Sequence, residues 1–386
     1  MLAMSVPASL AAQDVSVHGQ VRPRTELRDL GGNAESVAFT SMRVRAGFLA
    51  SLERAVNVFV QLQDVRLWGE ESSTLGDFSA DNLDLHQGYL QLGFGDDGQL
   101  TAKVGRQETN LGGQRLVGAV GWTQQGRSFD GVRVTGEHDW GSVDLLAYKL
   151  REGDLDGIPE SELLGAYGAF DVHRTSTLDL YVLYNGVSIP IDTDQATLGA
   201  RLHGSLDGFT YRGEVSVQRG QRAGTDVSAY MFGARVGRGF LEGRGTIALW
   251  FDYLSGDEDP DDGEIRVFDT LFATNHKFYG FADLFLNIPA HTGGLGLRDA
   301  AVKSSYDLSE TTRLAADLHH FTLAHQGAFM TSTLGQELDV TFTYRHTGNV
   351  GITAGHSIVF ADDPMIDLGR AVGTVHFGYI MLDATF

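Results

Sequence analysis

Residues 14–28, DVSVHGQVRPRTELR, alternate between two kinds of side chain along their whole length. The odd-numbered positions carry valine, glycine, proline, threonine and leucine, whereas the even-numbered positions carry aspartate, serine, histidine, glutamine, arginine and glutamate. Successive side chains of a β-strand point to opposite faces. The stretch therefore predicts a strand with one largely apolar face and one strongly polar face.

The same alternation recurs along the chain, for example at residues 41–53, 209–218 and 337–345. These runs exceed the roughly 5 to 6 residues usual for globular strands and reach the roughly 9 to 11 residues of a tilted membrane strand. The fold class that they predict is all-β, a transmembrane antiparallel β-barrel of about eighteen strands, with sixteen as the alternative. The predicted strands cover residues 14–28, 38–53, 55–67, 84–94, 99–107, 129–136, 142–150, 166–174, 177–185, 196–206, 208–218, 227–236, 245–254, 294–306, 310–323, 335–346, 350–360 and 373–386.

The connections between these strands alternate in length. Short turns lie at 53–54, 96–98, 174–176, 207–208, 307–309 and 347–349, and long segments lie at 68–83, 108–128, 151–165, 186–195, 255–293 and 361–372. Outer-membrane barrels have short periplasmic turns and longer external loops. The pattern predicts a barrel in the outer membrane of a Gram-negative bacterium, surrounded by lipid, with both termini periplasmic.

Composition argues against several other classes of protein. The chain has 386 residues, 42% of them hydrophobic, and no apolar run approaches the roughly 18 to 20 residues of a membrane-spanning helix. A net charge of −21 argues against nucleic acid as a partner, because that role needs a basic face. The lack of cysteine excludes thiolate metal sites and cysteine nucleophiles. Neither an enzyme nor a cofactor is expected.

The two ends of the chain carry their own signals. Residues 1–12 are predicted to be the remnant of a secretory signal peptide, with a disordered apolar leader as the alternative. Residues 13–386 are then predicted to form a single barrel domain. The final residue, Phe386, shares a face with Ile380 and Leu382. This ending resembles the outer-membrane assembly signal and predicts the assembly machinery as a partner.

Arginines dominate the polar faces of the predicted strands. Arginine binds carboxylates through a planar two-pronged fork, so these side chains either pair with wall carboxylates or guide an anionic substrate. Both interpretations stay open at this point. The candidate pore-lining residues are Arg22, Arg24, Arg43, Arg45, Arg106, Arg133, Arg212, Arg313 and Arg345.

Several segments, in order, resemble the bacterial alginate export family. They are VQLQDVRLWG at 60–69, VGRQ at 104–107, GQRLVG at 113–118, RSFDGV at 127–132, FDTLF at 268–272 and NHKFYG at 275–280. The resemblance implies an outer-membrane exporter whose basic lumen passes an anionic polysaccharide. The pronounced acidity of this chain departs from that picture, so the fold transfers more safely than the substrate.

The segment 108–128 is longer than a passive connection needs. We predict that it folds into the pore mouth and constricts it, with Arg115 and Arg127 offering positive charge to an anionic ligand and with Trp122 and Asp130 alongside. The alternative is an external loop in which Trp122 anchors the segment and loop acids neutralise both arginines.

An acidic loop raises the question of a metal. Asp257, Asp259 and Asp261 alternate as in a calcium loop, but Gly263 falls one place late and no helices flank the segment. A solvated acidic loop is therefore preferred, and no metal site is predicted. The function predicted from the sequence is an outer-membrane pore that resembles an anionic polysaccharide exporter; the alternative is a general or solute-specific porin for small solutes.

Overall fold

The computed structural model describes residues 14–32, 34–52, 55–70, 83–95, 99–153, 160–188 and 192–386. The leader predicted at residues 1–12 lies outside the described residues. Within them the chain is almost entirely β-structure. The strands are β1 (Asp14–Asp29), β2 (Val37–Leu52), β3 (Val56–Leu67), β4 (Leu83–Phe94), β5 (Leu100–Gln107), β6 (Phe129–His138), β7 (Gly141–Arg151), β8 (Ser161–His173), β9 (Ser176–Val187), β10 (Thr193–Leu206), β11 (Phe209–Arg222), β12 (Thr225–Phe240), β13 (Gly245–Leu254), β14 (Glu264–Ile265), β15 (Leu297–Asp307), β16 (Thr312–Leu323), β17 (Thr333–Arg345), β18 (Val350–Ala361) and β19 (Val375–Thr385).

The strands form one closed sheet. Each long strand pairs antiparallel with its neighbours in sequence, β13 pairs with β15, and β1 pairs with β19 to close the ring. The two-residue β14 instead pairs parallel with the start of β12, so the barrel wall has eighteen strands. The prediction of an eighteen-stranded antiparallel barrel is confirmed. The helices are short: α1 (Ile288–His291), α2 (Asp363–Asp367) and a 3-10 turn (Asn275–Lys277).

The two rims of the barrel differ. On one rim the strands are joined by tight turns, such as residues 139–140, 174–175 and 207–208, and here β1 begins and β19 ends. The other rim carries the long connections, including 108–128, 266–296 and 362–374. We call these the short-turn rim and the long-loop rim.

Several predicted strand ends are wrong, among them those around residues 219–226 and at the start of β8. The predicted connection at residues 219–226 is mostly strand, and only the turn Ala223–Gly224 separates β11 from β12. The strand β8 begins five residues earlier than predicted. In both places the backbone pairing with the neighbouring strand continues beyond the alternating run. The hydrogen-bonded ladder therefore sets these ends, while local side-chain polarity does not.

The outward face of the wall is apolar. Phe48, Val215 and Phe342 are exposed on it, as are aromatic side chains near each rim. Rings at the two edges of an apolar band are typical of barrels that cross a membrane. Phe94, Trp140, Phe209, Phe240 and Phe386 lie toward the short-turn rim, and Tyr230, Tyr253 and Phe360 lie toward the long-loop rim. No helix in the described ranges has the length and apolarity needed to cross a membrane.

Candidate functional site

Two connections of the long-loop rim fold into the barrel interior. They are residues 108–128, between β5 and β6, and residues 266–296, which precede β15. A parallel bridge between Val117 and Phe272 joins them. Their apolar side chains are buried against inward-facing wall residues such as Phe321. We call the two segments together the plug; removing this apolar surface from water favours its seated position.

The plug is held on one side by arginines of β1 and β2. Arg22, Arg24 and Arg43 donate hydrogen bonds of 2.6 to 3.3 Å to the backbone carbonyls of residues 121–124. Arg22 and Arg43 are direct cross-strand partners, an arrangement in which like charges repel. The carbonyl dipoles of the plug offset this repulsion, so these inward cations are committed to the plug.

Arg45 holds the start of the first plug segment. Its guanidinium lies 3.0 Å from the carboxylate of Glu108, which also bonds His86 at 2.7 Å. Burial alone would raise the pKa of Glu108, but the hydrogen bond with His86 and the charge of Arg45 lower it below its ordinary value. The carboxylate therefore stays ionised and fixes the point where the segment leaves β5.

Arg115 is buried between the plug and the wall. It is 2% exposed and lies 2.9 Å from Asp252 and 3.3 Å from Glu214, and it donates to the hydroxyl of Tyr279. Burial opposes the charge, but Asp252 and the groups around it raise the pKa of Arg115 above its ordinary value. The prediction that Arg115 offers charge to a ligand is corrected, because wall carboxylates neutralise the guanidinium away from solvent.

Trp122 and Arg127 also serve the plug. One face of the Trp122 ring stacks on His276 at 4.1 Å, and the guanidinium of Arg24 lies 3.9 Å from the ring centroid. Arg127 donates to the carbonyls of Gly118 and Phe272, and burial lowers its pKa. Trp122 is therefore an anchor for the segment, and Arg127 joins the two plug segments.

A pair of buried carboxylates holds the second plug segment. Glu337 and Asp339 point inward from β17 and are 0% and 1% exposed. Glu337 accepts the backbone N–H of Ala282 at 2.8 Å, and Asp339 accepts that of Phe281 at 3.3 Å. Arginines thus hold the plug by its carbonyls on one side, and carboxylates hold it by its amides on the other.

Cations also lie on the inner wall beside the plug. Arg133 binds Asp144 through two hydrogen bonds of 2.8 and 2.7 Å. Arg212 lies 3.5 Å from Asp252 and is the cross-strand partner of Arg235. Near the short-turn rim, Arg313 and Arg345 share the inner face with Glu337 and Asp339 by strand parity and register.

Comparison with known proteins identifies the family. The model of a family described as alginate export matches residues 14–368. The chain belongs to the alginate export family. No curated protein matches the sequence.

Solved structures similar to this alginate export family member are barrels from two organisms. OpdO of Pseudomonas aeruginosa aligns with a TM-score of 0.69 at 14% identity, over 97% of this chain and 98% of that one. OccAB4 of Acinetobacter baumannii gives 0.68 at 11% identity, over 97% and 98%. The outer membrane protein OprD of Pseudomonas aeruginosa gives 0.65 at 11% identity, over 97% and 94%. At these identities the likeness concerns the fold. Membership of the alginate export family and the shared barrel fold together make the protein an outer-membrane pore and not an enzyme.

Arg106 and Asp130 are not where the sequence analysis placed them in this family member. They form an ion pair of 2.8 Å, with exposed side chains, and share a face with the outward Val104 and Val132. The neighbouring Phe129 instead points inward, against Phe272 of the plug. Strand parity therefore puts Arg106 and Asp130 on the outer face, so Arg106 does not line the pore and Asp130 does not belong to a constriction.

The acidic loop of this family member is organised by an arginine. Arg266 lies 3.8 Å from Asp257, 2.5 Å from Asp262 and 2.6 Å from Glu264. Among the described residues, no group of three or more histidine, aspartate or glutamate side chains could hold a metal ion. Asp257, Asp259 and Asp261 are thus part of a salt-bridged loop.

Sequence reasoning missed two residues of the plug. Lys277 is exposed on the second segment and donates to the carbonyl of Gly113. Gly280 has a φ of 82° and lies directly against the carboxylate of Glu337. Both belong to the NHKFYG segment that carried the family resemblance, but nothing in its periodicity shows that it lies inside a barrel.

Proposed function

We propose that the pore conducts anionic solutes and that its substrate is a carboxylate-bearing polysaccharide of the kind the family name indicates. The observation that carries the proposal is a group of cations beside the plug. Lys277 on the plug and Arg212 on the wall lie close enough to interact, and Arg235 is the direct cross-strand partner of Arg212. Burial, together with the charges of Arg201, Arg212 and Arg115, lowers the pKa of Lys277.

Two members of this group lack a carboxylate of their own. Arg235 bonds the hydroxyl of Thr210 at 2.8 Å and has no ion pair with any residue that the structure describes. Among the described residues, Lys277 donates a hydrogen bond only to the backbone carbonyl of Gly113. Arg212 shares Asp252 with Arg115. Like charges held opposite each other are destabilising, and a passing carboxylate would relieve that repulsion.

A solute-specific porin for small anions is the second candidate. It is supported by the plug itself, because two segments inside the lumen leave less room for a polymer than an open barrel does. The two candidates differ in their response to chain length. A polysaccharide pore is blocked more strongly by a longer alginate oligomer, whereas a pore for small anions responds to the monosaccharide and its oligomers alike.

The orientation in the membrane is part of the proposal. Both ends of the barrel wall lie on the short-turn rim, which we assign to the periplasm because outer-membrane barrels carry their short turns there. We further propose that residues 13–386 form a single barrel domain and that the outer-membrane assembly machinery recognises the last strand. Phe386 supports that role, since it follows β19 directly and its aromatic ring is exposed.

Neutralising Lys277 and Arg235 together, as K277Q/R235Q, is expected to reduce the anion-over-cation permeability ratio severalfold. The physical reason is that two fixed charges beside the path no longer attract anions. Reversal potentials in a potassium chloride gradient across a planar bilayer measure the ratio. Because the pKa of Lys277 is lowered, the anion preference of the parent should also fall as the pH rises, before an ordinary lysine would lose its proton.

The matched control is R238Q, which removes the same charge from the outer face of β12, where Arg238 lies over the ring of Phe209. The control is expected to keep the parent ratio. A parent channel that prefers cations, or a double variant with parent selectivity, would refute the proposal.

A further inference from the structure

We propose that the short-turn rim carries a separate carboxylate-binding site, built from Arg313, Arg345 and Thr343, where a carboxylated sugar binds as it enters or leaves the pore. The site lies in a cavity of about 720 Å³ formed by the ends of β15, β16 and β17. That volume falls within the roughly 300 to 1,000 Å³ of ligand pockets. The inference rests on the proposed function, because it assumes that carboxylated solutes use the pore.

The register of the strands brings the three side chains together. Thr343 on β17 is the direct cross-strand partner of Arg313 on β16, and Arg345 is two residues further along β17 on the same face. The backbone N–H of Arg345 bonds the carbonyl of Thr311 at 2.8 Å, which fixes β17 against the turn before β16. Two guanidinium groups therefore flank a hydroxyl on a rigid part of the wall.

The two arginines differ in a way that suits a binding site. Arg313 is already oriented by Asp307, through contacts of 2.6 and 3.1 Å. The guanidinium of Arg345 makes no hydrogen bond or ion pair within the part of the chain that the structure describes. Asp307 thus occupies the Nε–Nη2 edge of Arg313 and leaves its Nη1 side to a ligand, whereas Arg345 offers a whole fork. A free guanidinium binds a carboxylate through two parallel hydrogen bonds.

The rest of the cavity determines the class of ligand. Its charged groups are Arg244, Arg313 and Arg345 against Asp307 and Glu310, a net charge of +1 from three cations and two anions. Arg244 donates to the carbonyls of Asp307 and Leu308, so it orders the turn. The remaining polar lining consists of hydroxyls, which both donate and accept hydrogen bonds, as the hydroxyls of a sugar require. They belong to Ser309, Thr311, Thr312 and Thr343.

The test is one-sided block of single channels by an alginate trisaccharide. The chain has no cysteine, so one cysteine introduced in the long-loop rim and labelled with an impermeant thiol reagent reports the orientation of each channel. Loss of a charged hydrogen bond costs about 1.5 to 3 kcal/mol. The variant R345Q is therefore expected to raise the half-blocking concentration about tenfold or more from the short-turn side, with a much smaller change from the long-loop side.

Two further variants make the result specific. R345K keeps the charge but loses the fork, and it is expected to fall between the parent and R345Q. R238Q removes an arginine from the outer face near the same rim, and the trisaccharide should block this variant at the same concentration as the parent. Folded migration on a gel without heating checks each variant.

Three outcomes would overturn the site. The alginate trisaccharide blocks the R345Q channel at the same concentration as the parent channel, or R345Q weakens block by neutral maltotriose as much as block by the alginate trisaccharide, or it weakens block by inorganic sulfate as much. The last outcome would mark a general anion site and not one for a carboxylated sugar. These failures are distinct from failure of the proposed function, which the selectivity of the parent channel decides by itself.

Discussion

Replacing Arg115 with methionine is expected to unseat the plug and raise the single-channel conductance severalfold. The substitution leaves Asp252 and Glu214, which are 0% and 5% exposed, without the cation that lies between them. Removing one partner of a buried ion pair costs about 3 to 5 kcal/mol. That cost would shift the ratio of seated to unseated plug by roughly two to four orders of magnitude. Arg212, 3.5 Å from Asp252, recovers part of the loss.

A matched variant separates this effect from the loss of an arginine as such. Arg106 also pairs with an aspartate, but both side chains are exposed on the outer face, where an ion pair contributes only about 0 to 1 kcal/mol. R106M is therefore expected to conduct like the parent. Adding D252N to R115M neutralises one stranded carboxylate and should return the conductance part of the way. Parent conductance in R115M would mean that Arg115 does not hold the plug.

The barrel itself could be predicted from the sequence because its physical cause is local. One face of every strand meets the apolar exterior and the other meets the interior, so alternation with a period of two is present in each strand. The prediction of strand ends failed where backbone pairing, and not side-chain alternation, determines how far a strand extends. The strand β12 extends to Phe240, beyond the predicted end at residue 236, because backbone pairing with β13 continues there.

The candidate site was less predictable because its contacts join distant parts of the chain. Arg115 and Asp252 are 137 residues apart in sequence, and no local pattern indicates that one neutralises the other. Alternation places Arg22 and Arg43 on the inner face, but it does not show that plug carbonyls occupy their guanidinium groups. Arg106 is a different case. It has the same parity as Val104, so alternation alone would have placed it outside the pore.

Replacing Gly280 with alanine is expected to displace the second plug segment as strongly as R115M displaces the first. Gly280 has a φ of 82°, and a Cβ atom there would lie 2.3 Å from a carboxylate oxygen of Glu337. The carboxylate is buried at 0% exposure and accepts the backbone N–H of Ala282, so moving it away from the new Cβ atom would strain or break that bond. An L-residue in this backbone region costs a further 1 to 2 kcal/mol, roughly. The bonds from Ala282 to Glu337 and from Phe281 to Asp339 should break together.

The control for this variant separates the steric clash from the backbone strain. Gly263 has a φ of 87°, but no atom lies within 4 Å of the position its Cβ would take. G263A therefore carries similar strain without the clash, and it is expected to leave the conductance near that of the parent. Hydrogen–deuterium exchange should accelerate across residues 276–286 in G280A and not in G263A. In the background of E337A, where the clashing atoms are gone, G280A should have much less effect, because contacting residues are not additive. If G280A raised the conductance equally with and without Glu337, the contact between residue 280 and Glu337 would not be what holds this part of the plug in place.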